Sequence, residues 1–589
     1  MSNIMDSLKL KNHVHRNGFD LSHKNCFTAK AGELLPIFSR EVIPGDKFNI
    51  DLSSLTRSMP VASAAYTRLR EYFDFYFVPD RLLWRYSDMF FTQMENSSNI
   101  ATGPHHFASS FEHLPYINTS DVLTIFSDFV MNRNNIVPKG SASVDLLGFD
   151  RVQTMSKLLS YLDYGFSADI KYYMSQSVVS DSNTYGVGLP SRPMCPFKLL
   201  AYQKIYNDFY RFPQWERNRP YLYNIDYLSK DTPLINVDVL RNLDWSSSDG
   251  TMFDLRYANF HKDMFTGVLP EAQYGSPGLA SPLIGTQSFN VVDGEDPNHK
   301  ILIADAATTS SSTDNEGYKM GLSVLSLRMA EFLQRYKEIA ISADPDYKSQ
   351  LEAHWNVHIS RDRSDMCQYL GGCANNVDIS EVVNTNLASD NVADILGKGV
   401  GAINGHINFE AHEHGVIMCI YHVLPLLDYQ DYGADRFNYK VFPTDFAIPE
   451  MDSIGMEQVS FADFFNRKVY TKENNDLFSP VRNILGYAPR YIDYKTSVDK
   501  IHGAFNLSLS QWVSPMSFDF IKELLIKLNN SSPTGWTGLD YTFFKVRSSF
   551  LNPIFAQSVT SSVDSDQFLV NSFFDIKAVR NLDVSGLPY

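Results

Sequence analysis

The sequence predicts a mainly β protein, a two-sheet sandwich or jelly roll with long insertions, and three observations carry that expectation. Segments with period-two alternation lie near both ends of the chain, while polar and helical stretches fill the middle. The composition, with 41 Phe, 32 Tyr, 27 Pro and 31 Gly, favours short pleated strands joined by long connections. At 589 residues the chain exceeds the length at which one compact core stops growing, so a framework must carry large insertions or divide into domains. Strands so far apart have to pair, because an exposed sheet edge invites aggregation.

In chain order, residues 1–40 carry Lys9, Lys11, Arg16, Lys24, Lys30 and Arg40 with His13, His15 and His23 against few acids, and read as a basic N-terminal arm. Residues 41–589 then form a single jelly-roll domain. Lys47-Phe-Asn-Ile-Asp-Leu52 alternates, and Tyr72-Phe-Asp-Phe-Tyr-Phe-Val78 puts Phe73, Phe75 and Phe77 on one face before Pro79 ends the ladder. From about 96 to 185 the text turns polar, with 121–130 and 152–162 fitting helical turns inside a long excursion. A second insertion covers about 270–400. Within it, 274–318 is so rich in Gly, Pro, Ser, Thr, Asn and Asp that it is expected as a surface insertion or mobile tip.

Leu325, Met329, Phe332, Tyr336, Ile339 and Ala340 recur at three- and four-residue steps between Arg328, Glu331, Arg335 and Glu338, which predicts a helix ended by Ser342-Ala-Asp-Pro345. The apolar run Gly415-Val-Ile-Met-Cys-Ile-Tyr-His-Val-Leu424, closed by Pro425, reads as a strand buried on both faces. Residues 541–546 and 567–579 read as two more strands, the second alternating through Phe568, Val570, Phe574, Ile576 and Ala578. No internal repeat points to a propeller or solenoid.

Net charge is -16, so affinity for a polyanion would have to come from a local basic surface. Cys26, Cys195, Cys367, Cys373 and Cys419 are odd in number and lack paired spacing, and are expected as free buried thiols. No stretch is long and apolar enough to span a membrane, and the first ten residues lack a signal-peptide order, so a cytosolic protein is expected.

Motifs for chemistry are weak. Gly397-Lys-Gly-Val-Gly401 lacks the spacing of a phosphate loop and reads as a Gly-rich turn. His412-Glu-His414 would share one strand face, and His354 and His358 one helix face, without a third ligand fixed by spacing. Asp564 and Asp566 fit a polar turn better than a cation or acid–base site. No catalytic residue, metal ligand or cofactor is assigned. The stretch 202–227 is rich in tyrosine with Arg211, Arg217 and Arg219 interleaved, and Tyr210, Arg211, Trp215, Arg217 and Arg219 are candidates for an inter-subunit interface, with base stacking as the competing use. Abundant aromatics and acidic turns leave a rival class, a β-sandwich protein that binds or cleaves glycans, and a cytosolic single-strand-binding module is the third option.

Several segments in this order resemble the major capsid proteins of microviruses, particularly the gokushovirus-like and related gut-phage branches. They are Leu34-Leu-Pro-Ile-Phe38, Ile43-Pro-Gly-Asp46, Arg57-Ser-Met-Pro60 and 66–84 ending in Phe77-Val-Pro-Asp-Arg-Leu-Leu-Trp84. Next come 201–210, Arg219-Pro220, 262–275, 325–336, His354-Trp-Asn-Val-His358 and Tyr369-Leu-Gly-Gly372. Asn552-Pro-Ile-Phe555, 566–577 and Gly586-Leu-Pro588 close the series. The resemblance implies an eight-stranded antiparallel jelly roll, and sixty copies in a T=1 icosahedral shell assembled from pentamers around circular single-stranded DNA. It also implies internal or DNA-pilot virion proteins and a host receptor as partners, assembly in the bacterial cytoplasm, no catalytic residue, and 274–318 at the family's variable region. Lys9, Lys11, Arg16 and Lys24 would then face inward, toward phosphates or an internal protein.

Overall fold

The computed structural model describes residues 15–61, 65–92, 114–131, 149–166, 191–228, 234–235, 240, 250–273, 275, 289–292, 302–305, 324–345, 347–358, 360, 364–383, 395–431, 433–466, 469–470, 477–478, 484–514, 516, 541–555 and 566–584. Its centre is one large antiparallel sheet. In chain order the strands are β1 (Asn17–Asp20), β2 (His23–Ala29), β3 (Leu35–Val42), β4 (Lys47–Ser58), β5 (Leu69–Pro79), β6 (Gln368–Val383), β7 (Ile395–Glu410), β8 (Gly415–Pro425) and β9 (Phe568–Arg580). Both β1 and β2 lie along β9, followed across the sheet by β4, β7, β6, β5, β8 and β3. With β1 and β2 sharing one position, the sheet has the eight places of a jelly roll. The first residues of the chain thus pair with the last, Gly18 opposite Val579.

The sheet curls until its two halves face each other across an aromatic core. Phe574 on β9 stacks on Phe38 of β3 at 5.4 Å and meets Phe75 of β5 edge-on at 6.4 Å. Phe27 of β2 meets Tyr421 of β8 at 5.0 Å. The outer edges are tied by Asn25 of β2, which donates to the Ile37 carbonyl of β3 at 2.7 Å, and Arg580 at the end of β9 donates to the Glu41 carbonyl of β3 at 3.0 Å. Alternation explains β4 and β9, whose every second residue is buried. Strand β8 is buried on both faces, as its apolar run requires.

Two long excursions leave this sheet, one between β5 and β6 and one between β8 and β9. The first holds helices α1 (Thr119–Met131), α2 (Phe149–Tyr161), α3 (Phe197–Ile205), α4 (Val324–Ser342) and α5 (Tyr347–Trp355). Helix α3 is buried almost throughout and packs on the outer face of β5 and β8. The helices expected at 121–130, 152–162 and 325–340 are therefore present. Within 274–318, Phe289–Val292 pairs with Leu302–Asp305 as a small hairpin, and the remainder lies almost wholly outside the described residues.

Several expectations need correction. Tyr541–Phe544 is a 3-10 turn rather than a strand, because Phe543 and Phe544 pack inward beside Phe212, Trp215 and Phe464 instead of alternating. The Gly397–Gly401 cluster lies inside β7 rather than in a turn, and close packing is the reason. A Cβ on Gly399 would sit 2.9 Å from Ser58 Oγ, and one on Gly401 would sit 2.7 Å from Glu71 Oε1. Strands β6 and β7 had no counterpart in the sequence reading, since their glycines and asparagines look like turn residues. Cys26 and Cys195 are exposed, whereas Cys367 and Cys419 are buried.

Candidate assembly surfaces

Buried ions tie the excursions to the sheet, within themselves and to each other. The Lys157 ammonium on α2 meets Glu33, between β2 and β3, at 2.7 Å and Asp566, just before β9, at 2.8 Å. Burial would push the Lys157 ammonium down, but the two carboxylates outweigh it and hold its pKa above the usual lysine value; Asp566 is correspondingly held low against its own burial. Three remote pieces of chain are thereby locked at one charge centre. A second centre pairs Arg151 with Asp254 through two bonds of 2.7 and 2.6 Å. There Arg256 donates to Gln203 Oε1 at 2.7 Å, and the Gln203 amide donates to the carbonyls of Met252 and Asp254. A third joins Tyr206, Glu216 and Lys545, where burial outweighs Glu216 and pushes Lys545 down to about 8.

Two acids are held inside without a counter-ion at bonding distance. Glu71, fully buried in the sheet interior, accepts from Thr56 and Tyr421, and burial raises its pKa. Asp80, at the end of β5, is pushed up to about 7 by burial and then by the charges of Glu41 and Glu413. On the outer face of the same half-sheet, Asp74 accepts from Tyr210 and Tyr369 at 3.1 Å each. His422 is stacked on Tyr72 there, and burial holds it down at about 3.

Against this firmly bonded interior stands an outside with large apolar patches. In the second excursion Phe437, Tyr439, Val441, Phe442, Phe446 and Ile454 are all exposed, Val441 by 77%. In the first, α4 exposes Leu327, Met329, Phe332, Leu333 and Tyr336. Grouped exposed apolar side chains of this kind commonly mark interaction surfaces.

The sequence-selected residues distribute as follows. Lys9 and Lys11 lie outside the described residues. Within the stretch expected as an arm, 17–29 form β1 and β2, and 35–40 belong to β3. Arg16 is exposed and donates to Asn581 Oδ1 at 3.1 Å. Lys24 is exposed on β2, opposite Phe573 in the register. Tyr210 donates to Asp74, Arg211 to the Glu216 carbonyl at 2.7 Å, and Trp215 to the Val268 carbonyl at 2.8 Å. Arg219 donates to the Tyr221 hydroxyl at 2.7 Å, while Arg217 is exposed.

The histidine pairs do not converge. His412 and His414 lie in the turn between β7 and β8 rather than on a strand, and His414 stacks on Phe91 at 4.0 Å. His354 stacks on Tyr336, and His358 lies beyond the helix end, past Asn356 with its φ of 53°, and pairs with Glu352. Among the described residues no three His, Cys, Asp or Glu side chains gather where they could hold a metal. The sequence missed the Lys157 triad and the exposed run at 437–454. The triad carried no local signal, because Lys157 lies 124 residues from Glu33 and 409 from Asp566.

A curled jelly-roll sheet whose excursions are tied by buried ions and carry exposed apolar clusters defines a structural subunit. Residues 9–119 and 174–589 match the family described as "Capsid protein (F protein)", and the chain belongs to that family. Three similar proteins carry the name capsid protein VP1. That of Chlamydia phage 1 is 23% identical across 98% of this chain and 96% of its own length. That of Bdellovibrio phage phiMH2K is 22% identical across 98% and 96%, and that of Spiroplasma virus 4 is 22% identical across 86% and 85%. All three are microvirus proteins, as the resemblance of the sequence segments implied. The chain is a structural capsid subunit of the microvirus type.

Proposed function

We propose that copies of this chain assemble through pentamers into a T=1 icosahedral shell of sixty subunits that encloses a circular single-stranded DNA genome. One observation supports self-association above the others: the apolar runs at 327–336 and 437–454 stay exposed on a subunit whose interior is otherwise closely packed. In this reading 41–589 is one domain, the sheet sets the orientation of each copy, and the excursions make the contacts. Arg217, exposed beside the 206–216 turn, reaches a neighbouring subunit; Tyr210, Arg211, Trp215 and Arg219 shape the surface around it. The subunit acts by assembly and has no catalytic role.

The N-terminal segment faces the genome. Lys9, Lys11, Arg16 and Lys24 supply positive charge to phosphates or to an internal virion protein. Phe573, 46% exposed beside Lys24, offers a ring on which a base can stack. The shell forms in the bacterial cytoplasm, and the segment near 274–318 lies outside, where a host receptor is met.

Light scattering and negative-stain imaging of the expressed protein test the shell: megadalton particles are expected, and a small oligomer that takes up glycans would replace this reading with a lectin-like one. Reversing the charges of Lys9, Lys11, Arg16 and Lys24 should lower nuclease-protected DNA per particle. Unchanged DNA content would remove the phosphate role and leave an arm that pins neighbouring subunits.

A further inference from the structure

Helix α4 is amphipathic the wrong way round for a helix that serves its own subunit. Leu325, Met329, Phe332, Tyr336, Ile339 and Ala343 follow alternating steps of four and three residues, the a and d positions of three successive heptads. Such a stripe normally packs on the subunit's own core. Here Met329, Phe332 and Tyr336 are 63%, 65% and 53% exposed, and Leu333, which widens the stripe at the adjoining e position, is 48% exposed. The polar side faces the body instead. Gln334 bonds Gln273, and Glu338 lies against Gly455, where a Cβ would come within 3.0 Å of its carboxylate. Among the described residues, α5 partly roofs the C-terminal turns, through His354 stacked on Tyr336 and the Gln350 amide donating to the Ala340 carbonyl at 3.1 Å.

We propose that this seam packs against the α4 helices of neighbouring copies, in a parallel bundle around a rotation axis of the shell. The inference rests on the capsid reading, which supplies the neighbouring copies. The charges beside the seam select the direction. Arg328 and Arg335 occupy successive g positions, while the e positions hold Leu333 and Ala340. Antiparallel helices set g against g and would face arginine with arginine; parallel helices set g against e and bring each arginine stem over an apolar side chain. Aromatic rings at d and a, with leucine at e, make a seam wider than a two-stranded coil uses, so three or more helices surround the axis. A rotation axis running along α4 produces that arrangement without any further contact.

Cysteine cross-linking within assembled particles tests it. In a chain carrying Cys26→Ser and Cys195→Ser, which silence the exposed thiols, Met329→Cys and Tyr336→Cys are made singly. Glu331→Cys, on a c position away from the seam, is the control. In a parallel bundle each a residue lies beside its own equivalent, so mild oxidation of either variant should give a disulfide-linked dimer as the main product, and the control should give none. The two positions are about 10 Å apart along the axis, so a dimer from only one of them would overturn the parallel arrangement. Dimers from neither, in particles that form normally, would overturn the bundle. The pair Phe332→Asp with Tyr336→Asp should abolish particles while the unassembled subunit keeps its melting temperature, since both side chains are more than half exposed; normal particle yield would also overturn the proposal. If the unaltered chain makes no particles at all, the capsid reading fails and this inference with it, a result distinct from particles without cross-links.

Discussion

Strands β4 and β8 belong to the same curled sheet, yet one is open on its outer face and the other is closed on both. Every second residue of β4 is exposed, whereas β8 is buried on both sides. The difference lies in what covers the outside. Helix α3 and the turn after it roof β5 and β8, while the outer faces of β4 and β9 carry Leu55, Phe573 and Leu569 in partly open positions. One half of the sheet is thus finished by the chain's own excursions. Among the described residues the outer face of the other half stays partly open, which suits a shell protein whose surfaces are shared out among neighbours.

That contrast can be broken at graded points. The largest effect is expected from Met418→Lys on the outward side of β8: it places an unpaired charge in a fully buried position and should cost about 5 kcal/mol or prevent folding, read by denaturant titration. Phe574→Ala, at the junction of the two halves between Phe38 and Phe75, should cost about 3–5 kcal/mol in the same measurement. Lys157→Met leaves Glu33 buried without its cation and Asp566 with only Lys30, at 3.7 Å, and should cost about 3 kcal/mol or more; a cost below about 1 kcal/mol would mean that the Lys157 centre does not hold the α2 excursion in place.

A smaller effect depends on pH. Asp80 titrates near 7 when folded and near 4 when unfolded, so the native state holds its proton more tightly and stability falls as pH rises between those values. Asp80→Asn should gain about 1–3 kcal/mol over the native chain at pH 8 and little at pH 4, measured as the difference between their unfolding midpoints. Equal gains at both pH values would assign the effect to packing rather than charge. Least of all, Leu55→Lys on the open side of β4 should change stability by about 0.5 kcal/mol or less, because that side chain already reaches solvent. A large loss there would show that the outer face of β4 is covered by the chain itself.

How much was legible follows the range of the interactions. Strands β4, β5, β8 and β9 announce themselves because alternation, or an unbroken apolar run, is a local record of which faces are buried. Strands β6 and β7 stayed hidden, since the crowded interior there selects Gly399, Gly401 and Gly405 over larger residues, and glycine carries no period. The stretch 541–546 failed in the opposite sense: its aromatics suggested a strand but pack as a turn against Trp215 and Phe464. Of the site residues, Tyr210, Arg211 and Trp215 looked like surface recognition groups because aromatic and Arg enrichment is common to interfaces. Their polar atoms instead close hydrogen bonds within the chain.

By itself the sequence determined the class of fold, the strongest strands, the period of α4 and, through ordered segments along its length, kinship with microvirus capsid proteins. Only the tertiary structure decided which distant pieces share a charge centre, which half of the sheet is roofed, and that the apolar stripe of α4 points away from its own subunit. The reason is physical: a periodic pattern records that a face will be buried, but the partner that buries it is fixed by contacts between residues far apart in the chain, or between chains.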